Sequence, residues 1–129
     1  MTSDLPDEVR TLLDTRFAAR EKAIAASRQA IRSAANGIRA LQRSEWEEAQ
    51  SLISQSPARL AWIPDALTAN PELSAHAVVT DAAKEYAEAR VTQAIFTGAE
   101  IPTFSDLEMD PIPYLHGLGE AVGEMRRRM

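Results

Sequence analysis

Apolar positions recur along the first third of the chain with a helical period. Leu13, Phe17, Ile24, Ile31 and Ile38 fall within about 60° of arc at about 100° per residue, and the last four stand seven residues apart. Residues 7–43 therefore read as one long helix with Pro6 at its start. Alanine fills many of the remaining positions and favours helix throughout, whereas Gly37 costs about 1 kcal/mol there and marks the close approach of a neighbour. Ser44 followed by Glu47 has the spacing of a capping box, which predicts a second helix over about 45–55, apolar at Trp46, Ala49, Leu52 and Ile53. Ser56-Pro57 is expected to end it.

A short third helix is expected around 58–68, weakened by Pro64, and Asn70-Pro71 is a turn that also supplies proline to the next helix. That next helix is long, about 71–97, with Val78, Tyr86 and Ile95 among many alanines and Gly98 as its C-terminal cap. Pro102, Pro111, Pro113 and the acidic Ser105-Asp106-Leu107-Glu108 make 99–113 the one substantial loop. A last helix is expected from about 112 to Met129. No segment alternates with a strand period and no repeat of 20–50 residues occurs, so the pattern predicts an all-α domain over residues 1–129, an antiparallel bundle of about five helices.

Composition agrees with a globular chain: 45% of residues are hydrophobic and 26% charged, and no apolar run approaches the ~18 residues of a membrane span. MTSDLPDEVR opens with acids and a proline where a signal peptide has a basic segment and then an apolar one, so the expected location is the cytoplasm. The absence of cysteine excludes disulfides, thiol nucleophiles and thiolate metal sites. Net charge is -5, which alone argues against nucleic acid, but its distribution points the other way. Residues 16–43 hold six Arg and one Lys against one Glu, while 44–125 hold fourteen acids against three bases. A basic segment beside an acidic one is what an anion-binding surface next to a cation site looks like.

Two constellations carry candidate chemistry. Arg28, Arg32, Arg39 and Arg43 share about 60° of one helix face along roughly 22 Å. Such a guanidinium row can follow a nucleic-acid backbone, since each planar fork donates two parallel hydrogen bonds to phosphate; the alternative, which composition alone favours, is pairing with the chain's own carboxylates across a helix interface. Glu85 and Glu88, on one face with Asp81 and Thr92, and Glu120 and Glu124 on the last helix, form two carboxylate pairs at helical spacing. Converging, they would suit a hard cation that polarises a phosphodiester and activates water; apart, they are surface acids paired with nearby Arg and Lys. Gly117, Gly119 and Gly123 are costly in a helix unless another backbone or a substrate comes close. His116 lies on the side of Glu120, His76 has no local partner, and Trp62 and Tyr114 read as core or interface fillers. A carboxylate-bridged di-iron site would need His three residues after Glu85, where Glu88 stands.

At these residues the chain resembles the translin family, whose members bind single-stranded nucleic acid and include endoribonucleases. The matching stretches are Arg20-Glu21-Lys22, SRQAIR at 27–32, IRALQR at 38–43, DAAKEYAEA at 81–89, IPT at 101–103 and YLHGLGEAVGEMRR at 114–127, in the family's order and spacing. The resemblance implies a translin-type bundle of seven helices, of which about five are present here, assembled into a hollow and usually octameric barrel with RNA enclosed. The family continues through about two further helices beyond the point where this chain stops, which together with the apolar heptad of the first helix leads to the expectation of a homo-oligomer.

Nuclease-type members carry magnesium-binding acids in an E-Y-x-E-A motif and a G-x-x-D-x-x-G-E motif. Glu85 and Glu88 match the first, Glu124 matches the last acid of the second, and Glu120 stands where the family usually has Asp. Gln42 stands where many prokaryotic relatives have His. By resemblance, then, the expected activity is Mg2+-dependent endonucleolytic cleavage of single-stranded RNA. Glu85, Glu88, Glu120 and Glu124 would hold the metal and carry catalysis, and Arg28, Arg32, Arg39 and Arg43 would guide the backbone. The alternative is a non-catalytic oligomer that binds single-stranded RNA or DNA.

Overall fold

The computed structural model describes residues 4–60, 68 and 70–128. Among these, four α-helices and one 3-10 helix account for the ordered structure, and no strand occurs. The helices are α1 (Asp4–Gln42), α2 (Trp46–Leu60), α3 (Ala77–Thr97) and α4 (Pro111–Arg128), with the 3-10 helix at Pro71–Ala75 between α2 and α3. The all-α class holds. Against the count of about five, four α-helices are seen among the described residues: α2 takes up the start of the short helix expected around 58–68, and residues 61–67, Trp62 with them, lie outside the described residues.

The 39 residues of α1 span about 58 Å. Its buried side runs from Ala23 to Leu41 through Ile24, Ala30, Ala34 and Ile38, so the predicted stripe enters the core only in its second half. The α1 end differs from the expected capping box. Ser44 adopts φ 60, its N–H bonds the Leu41 carbonyl, and the Glu45 N–H reaches back to Ala40, which is the Schellman arrangement for ending a helix. Ser44 thus closes α1, and α2 begins after Glu45, whose carbonyl accepts the Ala49 N–H.

α2 returns antiparallel along α1. A Cβ on Gly37 would stand 2.5 Å from Ile53 Cγ1 and 3.5 Å from the Ala49 carbonyl, so the expected close approach is real. Farther along, Ser56 Oγ donates to the Ala30 carbonyl at 3.1 Å. Pro57 does not stop the helix as its local context predicts; α2 runs through it to Leu60. Proline removes only the N–H that would serve Ile53, and tertiary packing of Ile53 and Ser56 on α1 holds the turn regardless.

The helix expected over 71–97 is divided. Pro71–Ala75 is a 3-10 turn, and His76, extended at φ -72 and ψ 126, separates it from α3. His76 Nδ1 accepts the Val78 N–H at 3.3 Å, so this histidine, without a local partner in the sequence, is the N-cap of α3. Gly98 ends α3 at φ 74 as predicted, donating to Ala94 and Ile95. In the loop that follows, Thr103 and Asp106 exchange backbone-to-side-chain hydrogen bonds, and these hold the Asp106 carboxyl below its ordinary value. Tyr114 Oη donates to the Pro102 carbonyl at 2.7 Å and its ring meets Phe104 edge-on, fastening the loop to α4.

The core joins Ala34, Ile38, Ala40, Leu41, Ala49, Ile53, Tyr86 and Ala89, with Phe96, Leu107 and Met109 packed against it. Half of its buried members are alanines, so the helix backbones lie close together rather than being held apart by large side chains. No helix among the described residues is long and apolar enough to cross a membrane.

Candidate metal and nucleic-acid site

The site is built where α4 packs closely on α3. A Cβ on Gly117 would stand 2.6 Å from the Lys84 carbonyl, 2.7 Å from Ala87 Cβ and 2.9 Å from the Glu88 nitrogen, so only glycine lets α4 settle on α3 at this point. Gly119 and Gly123 face no such backbone: nothing lies within 4 Å of the first, and the second meets only the Arg127 guanidinium at 3.7 Å. One of the three glycines therefore has the predicted reason.

This packing brings the two carboxylate pairs to one seam. Glu88 is 5% exposed and Glu124 8%, both unusually buried for glutamate, whereas Glu85 and Glu120 are more open. Burial first, and then the charges of Glu85, Glu120 and Glu124, push the Glu88 carboxyl up to about 8, helped by a hydrogen bond to Glu85. At neutral pH Glu88 therefore holds a proton that Glu85 accepts. Glu124 receives hydrogen bonds from Gln42 of α1 and from Arg127 one turn on. Lys84 Nζ stands 4.0 Å from Glu85 Oε1 and 3.9 Å from Glu120 Oε1, spanning the seam.

One turn beyond Glu88, Thr92 is fully buried and its Oγ1 has no hydrogen-bond partner among the described residues. Asp81, on the same predicted face, is exposed. His116 is exposed as well and makes no hydrogen bond or ion pair among the described residues. As the side chains stand, no three Asp, Glu or His of the described residues form a group that could hold a metal ion. The carboxylates converge, but Gln42, Lys84 and Arg127 engage some of their oxygens.

All four arginines of the predicted row are exposed, on or just past α1. Arg43 grips Glu45 by two hydrogen bonds of 3.1 Å, and Arg39 donates to Asn36 at 2.6 Å. Arg28 and Arg32 have no carboxylate partner among the described residues. Pairing across a helix interface is thus absent from this row among the described residues; its one ion pair there is local, between Arg43 and Glu45.

Sequence reasoning missed the second layer around the acids. Arg127 stands three residues after Glu124, a spacing that could have announced that ion pair, whereas Lys84 directly precedes Glu85, a spacing that carries no such signal. Gln42 is 82 positions from Glu124, and no local signal could have found it. On another side of α3, a pocket of about 280 Å3 lined by residues of α2 and α3 contains Arg90, whose guanidinium donates to Tyr86 Oη at 2.7 Å, but no carboxylate. No family model matches the chain, and neither a curated protein nor a solved structure matches it.

Proposed function

We propose that this chain is a translin-type endoribonuclease that cleaves single-stranded RNA with a divalent cation, Mg2+ by its oxygen-rich donor set. The observation that carries the reading is the convergence of Glu85, Glu88, Glu120 and Glu124 on one seam, with Glu88 buried among three like charges. Such crowding is costly unless a proton or a cation relieves it. A hard cation fits the all-oxygen donor set. Glu85, Glu88, Glu120 and Glu124 would hold it, and when bound it would supply an activated water and offset the charge of a phosphodiester.

The chain's own groups have definite parts. Glu88 would have to give up its proton to serve as an anionic ligand. Gln42 and Arg127 orient Glu124, and Lys84 restrains Glu85 and Glu120. Arg28 and Arg32, without carboxylate partners among the described residues, take phosphate oxygens. The test is cleavage of a labelled single-stranded RNA oligonucleotide by the purified chain with Mg2+ and with chelator. Cleavage restricted to the Mg2+ arm is the expected result.

A second reading has its own support in the engagement of Glu124 by Gln42 and Arg127 and the lack of a ready three-ligand group among the described residues. On that reading the acids are structural and the protein binds single-stranded RNA or DNA without cutting it. Salt-sensitive oligonucleotide binding with no cleavage in either arm selects it.

A further inference from the structure

Tyr86, Arg90 and Gln93 follow one another at helical spacing and share one face of α3, roughly 140° around the helix from Glu85 and Glu88. With Gln50 and Ser54 of α2 they line the pocket of about 280 Å3 on that side. Arg90 is half-buried. Its guanidinium carbon stands 5.7 Å from the centre of the Tyr86 ring and one of its nitrogens donates to Tyr86 Oη, so ring and hydroxyl together fix where the charge sits. No carboxylate among the described residues pairs with it or lines the pocket, and Glu47, on the same side of α2 one turn before Gln50, lies outside the lining. Other donors converge here. The side-chain amides of Gln50 and Gln93 make no hydrogen bond among the described residues, and Tyr86 Oη, having accepted from Arg90, leaves its own hydrogen without an acceptor there. Ser54 Oγ already donates to the Ser51 carbonyl.

We infer that this pocket binds the phosphate group of a phosphate monoester, at a site separate from the acidic seam. A half-buried guanidinium is served less well by water than an exposed one and is stabilised by an anion. The bond to Tyr86 uses one of the Arg90 N–H groups and leaves the rest for a ligand. A carboxylate has two oxygens, which a guanidinium fork fills by itself. A phosphate monoester has three, and the third can accept from the Tyr86 hydroxyl and the glutamine amides. The surplus of donors around one fixed cation therefore selects phosphate. A volume at the small end of ligand pockets suits that group with at most a sugar-sized body behind it. A free sugar phosphate and the phosphorylated end of a nucleic-acid strand share this chemistry.

The experiment is two-dimensional proton–nitrogen NMR of the full chain in chelator, which keeps it independent of metal binding and of any nuclease assay. The titrants are ribose phosphate, a short RNA oligonucleotide with and without a terminal phosphate, and acetate. A phosphate monoester should shift the side-chain amides of Gln50 and Gln93 and the Arg90 Nε–H saturably, and acetate should not. Whichever phosphorylated titrant saturates at the lower concentration identifies the source. Arg90→Gln and, separately, Gln50→Glu should each weaken this binding by roughly tenfold or more. The second variant sets a carboxylate beside Arg90 from an exposed position, so it decides the matter even if the loss of Arg90 disturbs the fold. Absence of a saturable shift with any phosphorylated titrant up to about 10 mM, acetate binding as tightly as the phosphates, or an affinity unchanged in Gln50→Glu would each overturn the inference.

Discussion

Replacing Glu88 by glutamine separates the electrostatic account of the seam from a structural one, because the two differ in the sign of the stability change. A carboxyl raised from 4.5 to about 8 in the folded protein keeps its proton where the unfolded chain has lost it. Between those values the folded state binds more protons, so stability falls as pH rises, and the loss is complete above about pH 8. Each unit corresponds to about 1.4 kcal/mol, which sets a ceiling on the order of 5 kcal/mol. Sharing of the proton with Glu85 and relaxation of the more open Glu120 reduce the expected effect to about 2 kcal/mol, or roughly 6–10 °C for a domain of this size. Glutamine keeps the shape and can still donate to Glu85, but it cannot ionise.

In chelator, the Glu88→Gln variant should melt close to the wild type at about pH 5 and several degrees above it at about pH 8.5, with a flatter pH profile. Mg2+ should raise the wild-type melting temperature more at the higher pH than at the lower, since cation and proton compete for the same oxygens. That rise should vanish in the variant, along with RNA cleavage. Thermal melts by circular dichroism at the two pH values, with and without Mg2+, decide the matter. A variant less stable than wild type at both pH values would refute the argument, since it would mean that the Glu88 carboxylate is paired rather than crowded, and undiminished Mg2+-dependent cleavage would remove the metal role.

Three further outcomes follow from other parts of the fold. Arg28→Glu with Arg32→Glu should weaken single-stranded RNA binding and reduce the log–log salt slope by about 0.7 for each phosphate the variant no longer neutralises, measured by fluorescence anisotropy across salt concentrations. Gly117→Ala should destabilise the fold by about 1–3 kcal/mol in urea titration, because its methyl meets the backbone of Lys84 and Glu88. Ser44→Gly should stabilise by about 1 kcal/mol in the same assay, since it relieves a left-handed conformation without touching the core.

What is legible in the sequence follows from the range of each interaction. Helical period, the Gly98 cap and the proline-rich loop are local signals, and α1, the end of α3 and the start of α4 appear within a few residues of their expected places. Pro57 misleads because tertiary packing outweighs local preference: Ala49, Ile53 and Ser56 seat α2 on α1 and carry it past the proline; Ser44 misleads because it closes α1 by its own local hydrogen bond to Leu41 instead of capping α2. His76 escapes a sequence reading because an imidazole cap has no spacing signature. At the site, the spacing of Glu85 with Glu88 and of Glu120 with Glu124 identifies two helix faces, but their meeting depends on Gly117, and the restraint on Glu124 depends on a glutamine from α1. The arginine row reads as one unit in the sequence, whereas Arg39 and Arg43 are engaged locally and Arg28 and Arg32 stand clear of carboxylates among the described residues.

The continuity of α1 sets a distance within the molecule. With no break between Thr11 and Gln42, these residues are about 46 Å apart along one helix. Gln42 is the residue of α1 that reaches Glu124, so a substitution in the exposed first turns acts from the far end of that helix and should leave the acidic seam unaltered.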